Sequence, residues 1–181
     1  VPENFLLSIA ASAEKNSEHP LAEAIVEGAK SRKIKIRRAK KFLAHSGKGI
    51  SAVVGNSKIH IGNRLFMKEN KINYKPFEND VAKLENEGKT AVIIAKNKKI
   101  IGVIAIADQL KENSPDAVAE LKKMGKRVIM ITGDNERTAK AIAAQAGIDE
   151  VIANVLPDEK ARKIKELQKK GFKVIMVGDG I

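Results

Sequence analysis

The stretch RVIMITGDNERTAKAIAAQAG, residues 127–147, indicates the fold of the second half of the chain. It opens with apolar, mostly β-branched residues, turns at a Gly-Asp pair, and continues with alanines at helical spacing up to Gly147. A buried strand, a tight turn and a helix form the repeating unit of a parallel sheet. A near copy of the first part, KVIMVGDGI, stands at residues 173–181. The doubled pattern therefore predicts two strands that end in Gly-Asp turns.

The rest of the second half follows the same alternation. Ser114-Pro115 predicts a helix with serine as N-cap and proline as first helical residue, ending near Met124 before Gly125. Three strands, at 127–131, 150–154 and 173–177, alternate with helices at 135–146 and 157–170. This order predicts a parallel sheet with right-handed crossovers, whose apolar strands are buried on both faces.

The first half has a different pattern. Helices are expected at 4–15 and after Pro20, and shorter ones at 63–70 and 77–88. Two pairs of alternating runs, 50–54 with 58–62 and 90–96 with 99–107, flank short turns and predict β-hairpins. The fold class is therefore α/β with two domains. We expect an α+β domain with an antiparallel sheet at 1–106 and a parallel-sheet domain at 107–181.

Composition narrows the possible functions. The chain has 181 residues and a net charge of +12. It has no cysteine, so disulfides and thiol chemistry are excluded. Basic residues are densest at 30–41, where they favour a solvated helix end followed by a strand. A basic nucleic-acid-binding module is the alternative, although the chain has few aromatic residues on which bases stack. No apolar run is long enough to cross a bilayer, so we expect a soluble chain.

The two Gly-Asp turns are the first candidate site. In an open parallel sheet, ligands bind beyond the carboxyl ends of the strands, where Thr132, Gly133, Asp134 and Asp179 are expected. Carboxylates beside backbone N–H donors suit Mg²⁺ and phosphate. The alternative is that Asp134 caps the following helix and Asp179 is an ordinary turn residue.

Two further residues are expected at the same edge. Lys160, in Pro-Asp-Glu-Lys, lies one turn into a helix and is either a surface charge or a phosphate contact. Asp108 follows an apolar strand and is either a fourth polar group of the crevice or a cap. Phosphoryl transfer to an enzyme carboxylate also needs a nucleophilic aspartate in its own strand-end loop, and the sequence before Asp108 offers none.

Six motifs in one order carry a family resemblance. They are SEHPLA at 17–22, GKGI at 47–50, IGN at 61–63, TGDN at 132–135, PDEK at 157–160 and VGDGI at 177–181. The order resembles the cytoplasmic nucleotide-binding and phosphorylation domains of type IB P-type ATPases, which export heavy metals, and is most similar to copper transporters. The resemblance implies that 1–106 is the nucleotide-binding domain and 107–181 part of a phosphorylation domain with a haloacid-dehalogenase-like fold.

For the first domain, the resemblance implies an ATP pocket. Glu18 would bind the adenine edge and His19 would orient the nucleotide. Taken alone, a histidine at this position is more often a helix cap or a surface residue. Glycine pairs such as the one in GKGI also occur in plain turns that enter a hairpin.

The remaining residues of this pocket come from the GKGI and IGN motifs. Gly47 and Gly49 would admit the phosphate tail, and Ile50 would pack nearby. Gly62 and Asn63 would complete the pocket. The lysine between the two glycines either assists with charge or is solvated.

For the second domain, the resemblance implies a phosphoryl-transfer site that uses Mg²⁺. Its expected catalytic residues are Thr132, Gly133, Asp134, Lys160 and, at the hinge between the domains, Asp108. Asp179 would hold Mg²⁺.

The sequence also departs from the family pattern. It has neither the DKTGT motif that carries the phosphorylated aspartate nor the Asn-Asp that follows GDGI, and it has no membrane helices or actuator domain. We therefore expect a monomeric, cytoplasmic catalytic fragment that binds ATP without turnover. Its partners would be ATP and the remaining domains of the same pump, not nucleic acid. A haloacid-dehalogenase-like phosphatase is the rival enzyme class, and it needs a nucleophilic aspartate within the chain.

Overall fold

The structure is a computed structural model that describes residues 1–107 and 110–178, except for the side chains of residues 157 and 158. The chain divides into two compact units, Val1–Lys111 and Glu112–Ile181. The assignment of 1–106 and 107–181 to two functional domains remains a prediction.

The first unit is an antiparallel sheet with helices, as its hairpin patterns predict. Its helices are α1 (Glu3–Glu14), α2 (Pro20–Ser31), α3 (Arg64–Glu69) and α4 (Glu78–Asn86), with a 3-10 turn at Lys75–Phe77 before α4. Its strands are β1 (Ala39–His45), β2 (Gly49–Val54), β3 (Ser57–Gly62), β4 (Lys89–Lys96) and β5 (Lys99–Ala107). The strands pair in chain order, and every pair is antiparallel.

Both faces of this sheet carry an apolar core, because successive side chains of a strand point to opposite faces. On one face, α1 and α2 pack against alternate residues of β2 and β3, among them Ile50 and Ile61. On the other face, α3 and α4 pack against Ile93 and Ala95 of β4. The first unit is therefore a three-layer domain with the sheet in the middle.

The basic run at residues 30–41 joins α2 to β1. Every Lys and Arg side chain in it is exposed, whereas Ile34 and Ile36 pack against the core of the first unit. The strand begins only at Ala39. The apolar residues of the run thus anchor it to the fold, and its charges lie in solvent.

The second unit alternates helices and strands. It contains α5 (Ser114–Lys123), β6 (Ile129–Ile131), α6 (Glu136–Ala146), β7 (Glu150–Ile152) and α7 (Pro157–Lys169), and β6 pairs with β7 in parallel. Asn135 caps α6 at its start, and Gly147 ends it with a positive φ of 72°. The end at Gly147 matches the sequence pattern, whereas the expected helix already included Asn135, which is the cap.

Three details of the second unit correct the prediction. The N-cap of α5 is Asn113, so Ser114 and Pro115 are the first two helical residues. Proline is tolerated there because N–H groups in the first turn have no intrahelical partner.

The strands β6 and β7 are half-buried, not buried on both faces. The buried side chains of this unit belong mainly to α6, which presents Ala139, Ala143 and Ala146.

The predicted strand at 173–177 is wrong for this structure. Residues 172–177 have no regular secondary structure, and Ile175, Met176 and Val177 are exposed. An apolar, β-branched run becomes a strand only when another strand supplies hydrogen-bond partners. Within 1–107 and 110–178, no strand pairs with this run.

Among the helices that the structure describes, none is both long and apolar enough to span a bilayer.

Candidate functional site

An open depression of about 300 Å³ lies between the end of α1 and the start of α2. Its lining comes entirely from residues 14–26: Glu14, Lys15, Ser17, Glu18, Ala22, Glu23 and Val26. Glu18, the predicted adenine contact, is exposed here. Of the SEHP motif, only Ser17 and Glu18 are in this lining, and neither His19 nor the predicted glycines are part of it.

Glu14 is the buried carboxyl of this depression. Its side chain is only 7% exposed, because it follows Ala10 and Ala11 on the buried face of α1. Burial raises the pKa of Glu14 from 4.5 to about 7, and a hydrogen bond with the Ser17 side chain opposes part of this rise. The carboxyl is therefore partly protonated near neutral pH, where it both donates and accepts hydrogen bonds.

His19 is the N-cap of α2. Its Nδ1 accepts a hydrogen bond from the Leu21 N–H at 3.2 Å. Proline at position 20 opens the helix behind it, as the sequence pattern predicts. A ring nitrogen that accepts a hydrogen bond carries no proton, so the N–H of the neutral ring is at Nε2. His19 is exposed, and capping leaves this Nε2–H free for a ligand.

The GKGI motif forms the turn between β1 and β2, and Asn63 ties it to α3. The Asn63 N–H donates to the Lys48 carbonyl at 2.9 Å, and its Nδ2 donates to the Gly47 carbonyl at 3.0 Å. The Oδ1 of Asn63 accepts from the Phe66 N–H at 3.0 Å and caps α3. One asparagine thus joins two motifs that are 16 residues apart in sequence.

Gly49 and Gly62 face each other at the end of the β2–β3 pair. A Cβ on Gly49 would lie 2.6 Å from the Gly62 Cα, and one on Gly62 would lie 2.9 Å from the Gly49 Cα. Side-chain atoms do not fit at these distances. The close approach of the two strands is therefore sufficient reason for glycine at both positions, whether or not a phosphate binds there. Gly47, with a φ of 67°, lies in the exposed turn itself.

Two histidines lie close to this turn. The rings of His45 and His60 have their centroids 4.8 Å and 5.9 Å from that of Phe66. His60 is buried, and its Nδ1 has no hydrogen-bond partner within the described part of the chain. Burial, followed by the charge of Lys58, lowers the pKa of His60. The ring is therefore neutral under ordinary conditions.

The Thr132-Gly133-Asp134 turn follows β6 directly. The Thr132 hydroxyl donates to the Asp134 carboxylate at 2.8 Å and accepts from the Asp134 N–H at 3.1 Å. The cap of α6 is Asn135, whose Oδ1 accepts from the N–H groups of residues 137 and 138. The alternative that Asp134 caps this helix is therefore wrong. Its half-buried carboxylate is available for a ligand.

The start of α7 lies beside this turn. The Asn154 N–H donates to the Asp134 carbonyl at 2.8 Å, and the Val155 N–H donates to the Thr132 carbonyl at 3.0 Å. Lys160, half-buried, lies in the first turns of α7, a few residues later. The structure thus brings the TGDN and PDEK motifs to one edge of the small sheet, as expected for the carboxyl ends of parallel strands.

The remaining predicted site residues, Asp108 and Asp179, lie outside the described residues. In the part of the chain that is described, no group of three or more His, Cys, Asp or Glu residues is arranged to hold a metal ion. Asp134 is a suitable oxygen ligand, since Mg²⁺ binds carboxylates and usually shares its coordination shell with phosphate. Among the described residues of this site, Asp134 therefore offers one protein ligand for Mg²⁺.

Two features of the first unit were not predicted as functional. Glu14 was missed, although its spacing from Leu7 and Ala10 places it on the apolar face of α1, where a carboxylate is unusual. The other feature is a second open depression, of about 450 Å³. It contains none of the predicted residues and is lined by Lys68, Lys71, Ile72, Asn73, Tyr74 and Lys75.

Comparison with known proteins identifies the family. The sequence model of haloacid dehalogenase-like hydrolases matches residues 2–181. A copper-exporting P-type ATPase of Staphylococcus aureus (strain JH9) is 48% identical over 180 residues, which are 99% of this chain and 22% of the relative. The chain therefore spans about a fifth of the length of the curated relatives that it matches.

Solved structures agree with this match. One of them is the catalytic domain of the CPx-ATPase CopB-B, solved in a study of its conformational changes upon nucleotide binding. It aligns with this chain with a TM-score of 0.70 at 27% sequence identity. That comparison covers 100% of this chain and 63% of the other. The N-domain of HMA8, a copper-transporting P-type ATPase, has a TM-score of 0.50 at 31% identity, covering 59% of this chain and 92% of that domain. This chain belongs to the haloacid dehalogenase-like hydrolases and is homologous to one segment of the copper-exporting P-type ATPases.

Proposed function

We propose that this chain is the ATP-binding portion of a copper-exporting P-type ATPase. Residues 1–106 act as the nucleotide-binding domain and 107–181 as part of the phosphorylation domain, on the cytoplasmic side of the membrane. The observation that carries the proposal is the 48% identity to such pumps over 180 residues. In the intact pump, the γ-phosphoryl group of ATP passes to the aspartate of a DKTGT motif, which this sequence does not contain, and metal export follows.

The adenine end of the nucleotide binds at the depression between α1 and α2. The Nε2–H of His19 donates to the ligand, since Nδ1 is occupied by the Leu21 N–H. Glu18 contacts the base edge from the exposed side. The buried carboxyl of Glu14, whose pKa is about 7, adds a group that both donates and accepts, which suits the mixed donor and acceptor edge of adenine.

The phosphate end of ATP runs along the turn formed by Gly47 and Gly49. Asn63 holds this turn through its bonds to the carbonyls of residues 47 and 48. Gly62 allows the two strands to approach each other, and the buried Ile50 anchors the turn to the core. Lys48 supplies a positive charge, so the turn binds phosphate by charge and fixed backbone. No Walker-type loop wraps around the phosphates.

The second unit carries the phosphoryl-transfer residues. Thr132 and Gly133 form the turn that orients the Asp134 carboxylate, and Thr132 holds that carboxylate by its hydroxyl. Lys160 neutralises charge on the phosphoryl group. We assign Asp108 to the hinge between the two domains and Asp179 to the binding of Mg²⁺. When bound, Mg²⁺ lowers the charge repulsion between phosphate oxygens and the approaching carboxylate.

Calorimetric titration of the chain with ATP tests the nucleotide site. Asparagine is as good an N-cap as histidine, so His19→Asn keeps the helix cap and removes the imidazole. We expect this variant to bind ATP about tenfold more weakly, the loss of roughly one ligand hydrogen bond. Its thermal midpoint should stay that of the wild type. If the wild type shows no affinity for ATP, or if His19→Asn binds equally well, the nucleotide site is not here.

The second test concerns turnover. With ATP and Mg²⁺, we expect the isolated chain to release no inorganic phosphate above a protein-free control, because it lacks the acceptor aspartate. A haloacid-dehalogenase-like phosphatase would instead hydrolyse a generic ester such as p-nitrophenyl phosphate. Release from that ester, abolished by Asp134→Asn, would replace our proposal with the phosphatase.

A further inference from the structure

The lysine of the GKGI turn is paired with the last residue of α3. Lys48 Nζ lies 2.7 Å from Glu69 Oε1, and the two side chains are 38% and 45% exposed. The backbone around Lys48 is fixed, since its N–H donates to the His45 carbonyl at 3.0 Å and its carbonyl accepts from the Asn63 N–H. Only the side chain of Lys48 is therefore free to change partner.

This ion pair is weak enough to exchange. Pairs at this degree of exposure contribute little to stability, because water screens them and both side chains lose conformational freedom. An ammonium group binds phosphate oxygens by charge-assisted hydrogen bonds, and a polyphosphate carries several negative charges. A polyphosphate on the turn therefore competes well with a single carboxylate for Lys48.

We propose that Glu69 sets the affinity of the glycine turn for the polyphosphate of a nucleotide by holding Lys48 in the ligand-free protein. When the nucleotide binds, Lys48 leaves Glu69 and pairs with a phosphate. The released Glu69 carboxylate then remains near the anionic chain and repels it. Both effects lower affinity, so Glu69 is a positioning residue that acts through Lys48. The inference rests on the proposed nucleotide site.

The expected ligand class follows from this arrangement. Nucleoside triphosphates and diphosphates bring negative charge to the turn, so Glu69 lowers their affinity. A nucleoside without phosphate brings no charge to exchange for the carboxylate. The contribution of Glu69 should therefore grow with the number of phosphates on the ligand.

The test is calorimetric titration of the whole chain with ATP, ADP and adenosine at low ionic strength. We expect Glu69→Gln to bind ATP about threefold to tenfold more tightly than the wild type, and adenosine equally well. Lys48→Gln should weaken ATP binding by a similar factor. In the Lys48→Gln background, Glu69→Gln should have at most half of its effect, expressed as the logarithm of affinity.

The chain offers a matched control. Glu87 and Lys89 form an ion pair of 2.6 Å with 41% and 37% exposure, nearly the same as the Glu69–Lys48 pair. Glu87→Gln removes the same charge from the C-terminal end of α4 and should leave ATP affinity unchanged. If ATP binds but Glu69→Gln behaves like Glu87→Gln, or tightens adenosine equally, the role of Glu69 is refuted and the nucleotide site stands. If the wild type binds no ATP, both proposals fail.

Discussion

Glu14 makes the stability of the first unit depend on pH. Its carboxyl is 7% exposed, and burial raises its pKa from 4.5 to about 7. A raised carboxyl pKa means that the folded state binds the proton more tightly than the unfolded state. The protonated carboxyl thus contributes fully below pH 4.5, and the contribution is lost as the pH rises to about 7 and beyond. Glu14→Gln, neutral at every pH, should not lose it.

The size of the effect follows from the two pKa values. Each unit of difference corresponds to about 1.4 kcal/mol, so the wild type should lose on the order of 2–3 kcal/mol more than Glu14→Gln between pH 5 and pH 8. At a urea dependence of about 1–3 kcal/mol per molar, the two midpoints should separate by about 1–2 M over this range.

Urea unfolding followed by tyrosine fluorescence measures this loss. Tyr74 is the only tyrosine, the chain has no tryptophan, and Tyr74 packs against the core of the first unit. Its emission therefore reports on that unit alone. Glu23→Gln, which removes an exposed carboxyl from the same depression, is the control and should behave like the wild type. Equal pH dependence in the wild type and Glu14→Gln would refute the burial argument.

Three further substitutions test the packing. Gly49→Ala should destabilise the first unit by about 2–3 kcal/mol, because the new Cβ meets the backbone of β3, and the tyrosine-monitored melting temperature measures this. Glu85→Ala should cost about 3 kcal/mol by the same assay, since the Glu85 side chain is 3% exposed and bound to Arg64. Asn135→Ala should cost about 1 kcal/mol through the lost cap, seen as faster amide exchange in α6.

Each of these results can go against the structure. A Gly49→Ala variant as stable as the wild type would mean that β2 and β3 do not approach as described. A harmless Glu85→Ala would mean that Arg64 is satisfied by its bonds to Glu78 alone. Unchanged exchange in α6 would mean that the Asn135 side chain does not cap the helix in solution.

Local signals predicted the elements whose hydrogen bonds close within a few residues. The hairpin around Gly55-Asn56 formed as expected, with Val54 opposite Ser57. Helix α6 ended at Gly147, as its glycine indicated. The antiparallel sheet and the small parallel sheet follow from such elements. In these cases the residues that decide the structure are neighbours in sequence, so the pattern alone is sufficient.

Other features depended on residues far apart in sequence. The run at 173–177 has the composition of a strand but lacks a partner strand within the described residues. The side chain of Asn63 donates to the carbonyl of Gly47, which lies 16 positions away and is indicated by no local pattern. Composition cannot distinguish these outcomes, because each depends on which hydrogen-bond partner is nearest in space.

By itself, the sequence determined the helices, the hairpins and the motifs that contain the candidate residues, because periodicity and turn chemistry act locally. Only the tertiary structure decided how those residues are used. It buried Glu14 and so raised its pKa, and it joined Asn63 to Gly47. In it, Gly49 also lies close against Gly62, and Lys48 forms an ion pair with Glu69. The physical reason is that burial, close approach and charge pairing are properties of neighbours in space, and packing alone sets which residues those are.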